Sequence, residues 1–70
     1  MLQLGDSGSD VSTLQQALAD HGFNPGAIDG QFGGGTQAAV IAFQNSEQML
    51  ADGVAGPRTL SALGIATSAA

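Results

Sequence analysis

The sequence predicts an all-α domain of three helices, built around two pseudo-symmetric turn-helix repeats and containing no sheet of three or more strands. Three observations carry this expectation. Val11, Leu14 and Leu18, with Ala17 beside them, form an apolar stripe at helical period. A second segment, from Thr36 through Gln44, is rich in Ala and Gln and free of Gly and Pro. Finally, Asp29-Gly30-Gln31-Phe32-Gly33-Gly34-Gly35-Thr36 aligns with Asp52-Gly53-Val54-Ala55-Gly56-Pro57-Arg58-Thr59 at a constant offset of 23 residues (29 to 52, 33 to 56, 36 to 59).

The first helix is expected from about Ser9 to His21. Ser7 or Ser9 can cap its start, and Ser7-Gly8-Ser9-Asp10 has the S-x-x-D form of a capping box. Gly22 supplies a left-handed stop, and Phe23 is placed for the apolar contact that follows such a stop. Asn24-Pro25-Gly26 and Asp29-Gly30 are turn signals, with Ile28 between them expected to point into the core and pin the loop. In the second helix, Val40-Ile41-Ala42-Phe43 read alone could be a buried strand. The surrounding composition favours helix, so that Ala39, Val40 and Phe43 share a buried face. Gly56-Pro57 opens the third helix, with Gly at the cap and Pro at the first helical position. Leu60 and Leu63 face inward, Gly64 ends the turn, and Ile65 tucks back onto the core. Residues 1–65 thus make one domain, and 66–70 read as a flexible small-residue tail.

In each repeat the aspartate, Asp29 or Asp52, can hold its turn by accepting backbone N–H bonds two residues on. The following glycine, Gly30 or Gly53, takes the positive φ. Thr36 and Thr59 can satisfy free N–H groups at the helix starts.

Composition excludes several classes of function. The 70-residue chain has a formal net charge of −5, and Arg58 is its one basic side chain. Nucleic-acid binding and anchoring to an anionic membrane both require clusters of cations, so neither is expected. The absence of Cys removes disulfides and thiolate metal sites. The start, Met1 to Asp6, has no basic region followed by an apolar one, so no signal peptide is visible. That fits either an excised domain or a protein exported by another route. Hydrophobic residues at 43% suffice for one small core. Scaling predicts about 4,000 Å² exposed in the folded state against about 10,000 Å² unfolded.

The ordered set Leu4-Gly5, Asp10-Val11, Leu14-Gln15-Gln16, Leu18, Gly22-Phe23, Pro25-Gly26, Ile28-Asp29-Gly30, Phe32-Gly33, Thr36, Ala39-Val40, Ala42-Phe43-Gln44, Asp52-Gly53, Gly56-Pro57-Arg58-Thr59 and Leu63 resembles the small peptidoglycan-binding domain appended to bacterial cell-wall hydrolases. The match runs from about Leu2 to Ile65. The resemblance implies a three-helix domain with a non-catalytic role, holding an attached enzyme or particle on the wall from an extracellular, periplasmic or cell-wall location. A second reading gives the same fold a structural or assembly role in a phage particle or injection apparatus. Two departures stand out. Gly34-Gly35 replaces the usual Pro-Arg, removing a cation from the first repeat. Gln48 stands where the family often has Gly, which predicts an extra turn on helix two.

No catalytic residue, cofactor or metal site is expected. His21, the one imidazole, stands beside Asp20 at the end of the first helix, where the helix dipole favours a cation. Without Trp or Tyr, recognition would rest on loop backbone and amides rather than on ring stacking. Repeat symmetry then places a ligand groove between the two repeat helices. Phe32, Gly33, Thr36 and Gln44 line it from one copy, with Gly56, Arg58 and Thr59 from the other. The turn supports are Asp29, Gly30, Asp52 and Gly53. Three of these assignments are two-sided: Phe32 is core or ligand wall, Gln44 is a groove amide or a core-edge contact, and Arg58 forks onto a stem-peptide carboxylate or pairs with a nearby Asp.

Overall fold

The structure, a computed structural model, describes residues 1–65; the expected tail at 66–70 lies outside the described residues. Three helices follow in order: α1 Ser9–Asp20, α2 Gly34–Ser46 and α3 Pro57–Ala62. Among the described residues there is no strand, only two isolated antiparallel bridges, Leu2 with Ala55 and Ser7 with Gln31. The predicted fold class and helix order hold.

One apolar cluster joins the elements. Val11, Leu14 and Leu18 of α1 meet Ala39, Val40 and Phe43 of α2, with Leu60 and Leu63 from the α3 end. Phe32 and Ala55, equivalent residues in the two repeats, are both buried in it, at 2% and 0% exposed. Ile65 packs against the cluster as expected. Ile28 does not, being 46% exposed. Its neighbouring turn is held by polar bonds instead, as described below.

All three helices stop in the same way. Phe23 N–H donates to Leu18 C=O, Met49 N–H to Gln44 C=O, and Ile65 N–H to Leu60 C=O, at 2.8, 2.9 and 2.9 Å. Each bond spans a residue of positive φ: Gly22 at 87°, Gln48 at 58° and Gly64 at 82°. This is the Schellman arrangement, with an apolar residue just past the stop. It corrects the expectation of a longer second helix. Gln48 adopts the left-handed conformation that glycine would take, and α2 ends at Ser46.

Helix starts depart further from expectation. Gly8 occupies the N-cap of α1 with no side-chain cap, so the S-x-x-D box does not form. Gly33 and Gly56 precede α2 and α3 in extended conformation, with no side-chain cap; at α3 this is the expected start, Gly56 at the cap and Pro57 at the first helical position. The threonines expected to cap are turned inward.

The N-terminal segment carries a role that its sequence did not announce. Leu2 exchanges two backbone bonds with Ala55, at 3.1 and 2.8 Å. Three and four residues on, Gly5 N–H donates to Phe32 C=O and Asp6 C=O accepts from Phe32 N–H, at 3.0 and 2.8 Å. The N-terminal segment, bent by a turn at Leu4-Gly5, thereby pairs with the same position of both repeats and ties them together.

Candidate functional site

The repeated loops are organised by two buried glutamines. Gln15 on α1 is 0% exposed and Gln44 on α2 is 2% exposed. The Gln15 amide nitrogen donates to Gln31 C=O at 2.9 Å, Thr36 Oγ1 at 3.0 Å and Asp29 Oδ1 at 3.2 Å. Its oxygen accepts from Gly30 N–H at 2.9 Å. Gln44 repeats the set, donating to Val54 C=O at 2.9 Å, Asp52 Oδ1 at 3.1 Å and Thr59 Oγ1 at 3.2 Å, and accepting from Gly53 N–H at 3.0 Å. Burying an amide is costly unless every polar atom finds a partner. Here no buried side-chain nitrogen or oxygen among the described residues is left without one.

The aspartates act as expected of turn supports. Asp29 Oδ1 accepts from Gln31 N–H, and Asp52 Oδ1 from Val54 N–H, each at 3.0 Å. These backbone bonds first, and the glutamine amides second, hold both carboxyls below their ordinary value of 3.8. Gly30 and Gly53 take φ of 77° and 76°. A Cβ at Gly30 would lie 2.9 Å from Ser12 Oγ and 3.2 Å from Gly8 C=O, and one at Gly53 would lie 3.1 Å from Gln37 Cγ. Glycine is required there by conformation and by space.

The expected groove residues separate into two groups. Phe32, Thr36, Gln44 and Thr59 are buried, at 2%, 2%, 2% and 4% exposed. Their placement corrects the picture of a groove lined by these side chains. Phe32 belongs to the core, and the three polar groups are spent on the loop bonds just described. They shape the surface from beneath. Gly33 and Arg58 are exposed, and Gly56 is half-buried. Gly33 and Gly56 both lie beside the N-terminal segment. Gly33 lines a shallow pocket of about 260 Å³ with Gly5, Asp6, Ser7, Gln31 and Phe32. Gly56 approaches Met1, whose Cε is 3.8 Å from where a Cβ would stand.

A larger groove of about 600 Å³ runs along the exposed side of α1, between Thr13, Gln16, Ala17, Asp20 and His21 and the chain at Leu63-Gly64-Ile65. Gln16 donates to Asp20 at 3.0 Å there. The His21 ring stands edge-on to Phe43 at 5.8 Å, and Phe23 does the same at 5.5 Å. Sequence reasoning placed no site on this side.

Gln15 was also missed, although a signal exists. Val11, Leu14 and Gln15 are matched by Val40, Phe43 and Gln44 at a constant spacing of 29 residues. The helix before each Asp-Gly turn therefore belongs to the repeat, and the repeat is longer than the 23-residue offset reveals.

This geometry can be set beside known proteins. The chain is 46% identical over 56 residues to an N-acetylmuramoyl-L-alanine amidase of Mycobacterium tuberculosis, a match covering 80% of the chain and 14% of the amidase. It is 43% identical over 67 residues to the spore cortex-lytic enzyme of Bacillus cereus, covering 96% of the chain and 26% of that enzyme. It thus spans about a quarter or less of the length of these relatives. Among solved structures, the Burkholderia AP3 phage endolysin superposes with a TM-score of 0.86 at 48% identity, over 90% of this chain and 24% of the endolysin. The family described as "Putative peptidoglycan binding domain" matches residues 7–63, and it is to this family that the chain belongs.

Proposed function

We propose that the chain is a non-catalytic module that binds bacterial peptidoglycan and keeps an attached cell-wall hydrolase on its substrate, outside the cell or in the wall. The observation that carries this reading is the family match over residues 7–63. The fold is consistent with it: the buried polar side chains of both repeated loops, Gln15 and Gln44 with Thr36 and Thr59, are engaged in holding the loops. The relatives named above are an amidase and lytic enzymes, and those names give no support to an assembly role in a phage particle.

Contact with the polymer falls to the accessible members of the expected site, Gly33, Gly56 and above all Arg58. Arg58 is exposed at the second position of α3 and is the one cation of the sequence, apt for a stem-peptide carboxylate. Sedimentation with purified sacculi tests the reading. The chain should pellet with the wall at low salt, and its staying in the supernatant across several wall types would refute wall binding. Arg58→Ala should weaken binding by about 1–3 kcal/mol, with a smaller loss at high salt. Its melting temperature should barely move, because an exposed arginine contributes little to stability. Unchanged binding by Arg58→Ala would shift the contact to the groove along α1.

A further inference from the structure

We propose that Asp29-Gly30 and Asp52-Gly53 are latent sites of backbone modification to isoaspartate, held shut in the folded chain by Gln15 and Gln44. The chemistry is intramolecular. The glycine amide nitrogen attacks Cγ of the preceding aspartate in its protonated form, a Cγ–N bond forms, the Cγ–OH bond breaks, and the hydroxyl leaves with the amide proton as one water. Water then opens the five-membered imide at either carbonyl. One opening restores aspartate, and the other diverts the main chain through the side chain. No oxidant, metal or cofactor is consumed. Glycine in the next position leaves the attacking nitrogen unhindered, and these two dipeptides are the Asp-Gly pairs of the sequence.

Both reacting partners are immobilised at both sites. The attacking nitrogen is a buried glycine N–H that donates to a glutamine Oε1, at 2.9 Å for Gly30 and 3.0 Å for Gly53. Removing that proton would break the bond and leave a buried amide oxygen unmatched. The carboxylate is fixed by two other donors, the N–H two residues on and the glutamine Nε2. The same bonds keep each carboxyl ionised, and an ionised carboxyl is a poor electrophile. Each glutamine thus restrains nucleophile and electrophile together, with its two amide ends.

Ageing the chain at neutral pH and 37 °C tests this. Isoaspartate is counted by methyl transfer with a protein-isoaspartate methyltransferase and assigned by peptide mapping. Two synthetic peptides, spanning residues 25–34 and 48–57, serve as the unfolded reference. The folded chain should form isoaspartate at Asp29 and Asp52 at least about tenfold more slowly than the peptides, because reaction must await opening of the fold. Gln44→Ala should speed the reaction at Asp52 more than at Asp29, and Gln15→Ala should do the reverse. If a variant loses the fold, wild-type chain aged across a urea series replaces it, and the rate at both sites should follow the unfolded fraction. Equal rates in folded chain and peptides would overturn the proposal. So would peptides that form no isoaspartate, or folded variants in which both sites accelerate equally.

Discussion

Replacing Gln44 by Ala removes a side chain that is 2% exposed and touches four parts of one loop. The costs are unequal. Asp52 is exposed and can turn to water, so its lost bond is cheap. Gly53 is buried, and its N–H loses its acceptor outright. A stranded buried donor costs about 1–3 kcal/mol, and the void left by the missing side-chain atoms adds about 2 more, giving about 3–5 kcal/mol in all. A 70-residue domain has about 4–10 kcal/mol of stability to lose. Gln44→Ala should therefore remove about half of the stability, read as a large fall in the urea unfolding midpoint followed by circular dichroism at 25 °C. Gln16→Ala is the natural control. That side chain also makes one amide hydrogen bond, to Asp20 at 3.0 Å, but on the surface, and its loss should stay within about 0.5 kcal/mol. Indistinguishable unfolding midpoints for the two variants would refute the argument that burial and loop attachment make the difference.

Three further outcomes are expected. Gln48→Gly should stabilise by about 0.5–1 kcal/mol in the same urea assay, since glycine accepts the left-handed φ of 58° without the strain of a side chain. Deleting residues 1–4 should lower stability by about 1–2 kcal/mol through loss of the Leu2–Ala55 pairing and the burial of Leu2, again measured by the urea midpoint. The third concerns pH. The folded state holds Asp29 and Asp52 ionised below the ordinary value of 3.8, so their contribution is complete above that range and is lost as pH falls through the lower folded values. The melting temperature should drop from about pH 4 downward, and freshly prepared Asp29→Asn/Asp52→Asn, which keeps the accepting oxygens but not the charge, should show a flatter profile.

Much of this was legible in the residues themselves. The Asp-Gly turns were readable because an aspartate that accepts from the N–H two residues on, followed by a glycine of positive φ, is a purely local device. Helix ends were readable at Gly22 and Gly64 for the same reason. Gln48 misled because a residue with a side chain seldom takes the left-handed conformation, although the bonds that end α2, from Gln48 and Met49 N–H back to Asn45 and Gln44 C=O, are the local ones that end the other two helices. Thr36, Thr59 and Gln44 were legible as important but not as interior. Polar residue types point outward by default, and only the partner set, assembled from a distant helix and loop, reverses that. Phe32 was ambiguous because a loop aromatic has no periodicity to declare its direction. The pairing of Met1–Ser7 with both repeats could not be read at all, since it depends on backbone groups that every residue carries.

The repeat has a further consequence through α2, which serves both copies at once. It contributes Thr36 to the bond set of Gln15 and Gln44 to its own set eight residues later. Neither half of the molecule can let go of its loop without disturbing the helix on which the other half depends. Subglobal opening, common in larger repeat arrays where each unit has its own neighbours, is thereby suppressed. In native-state hydrogen exchange the amides of Gly30 and Gly53, though on separate loops, should report the same opening free energy, equal to that of global unfolding. The domain then behaves as a single foldon, and a protease meets it either whole or fully unfolded.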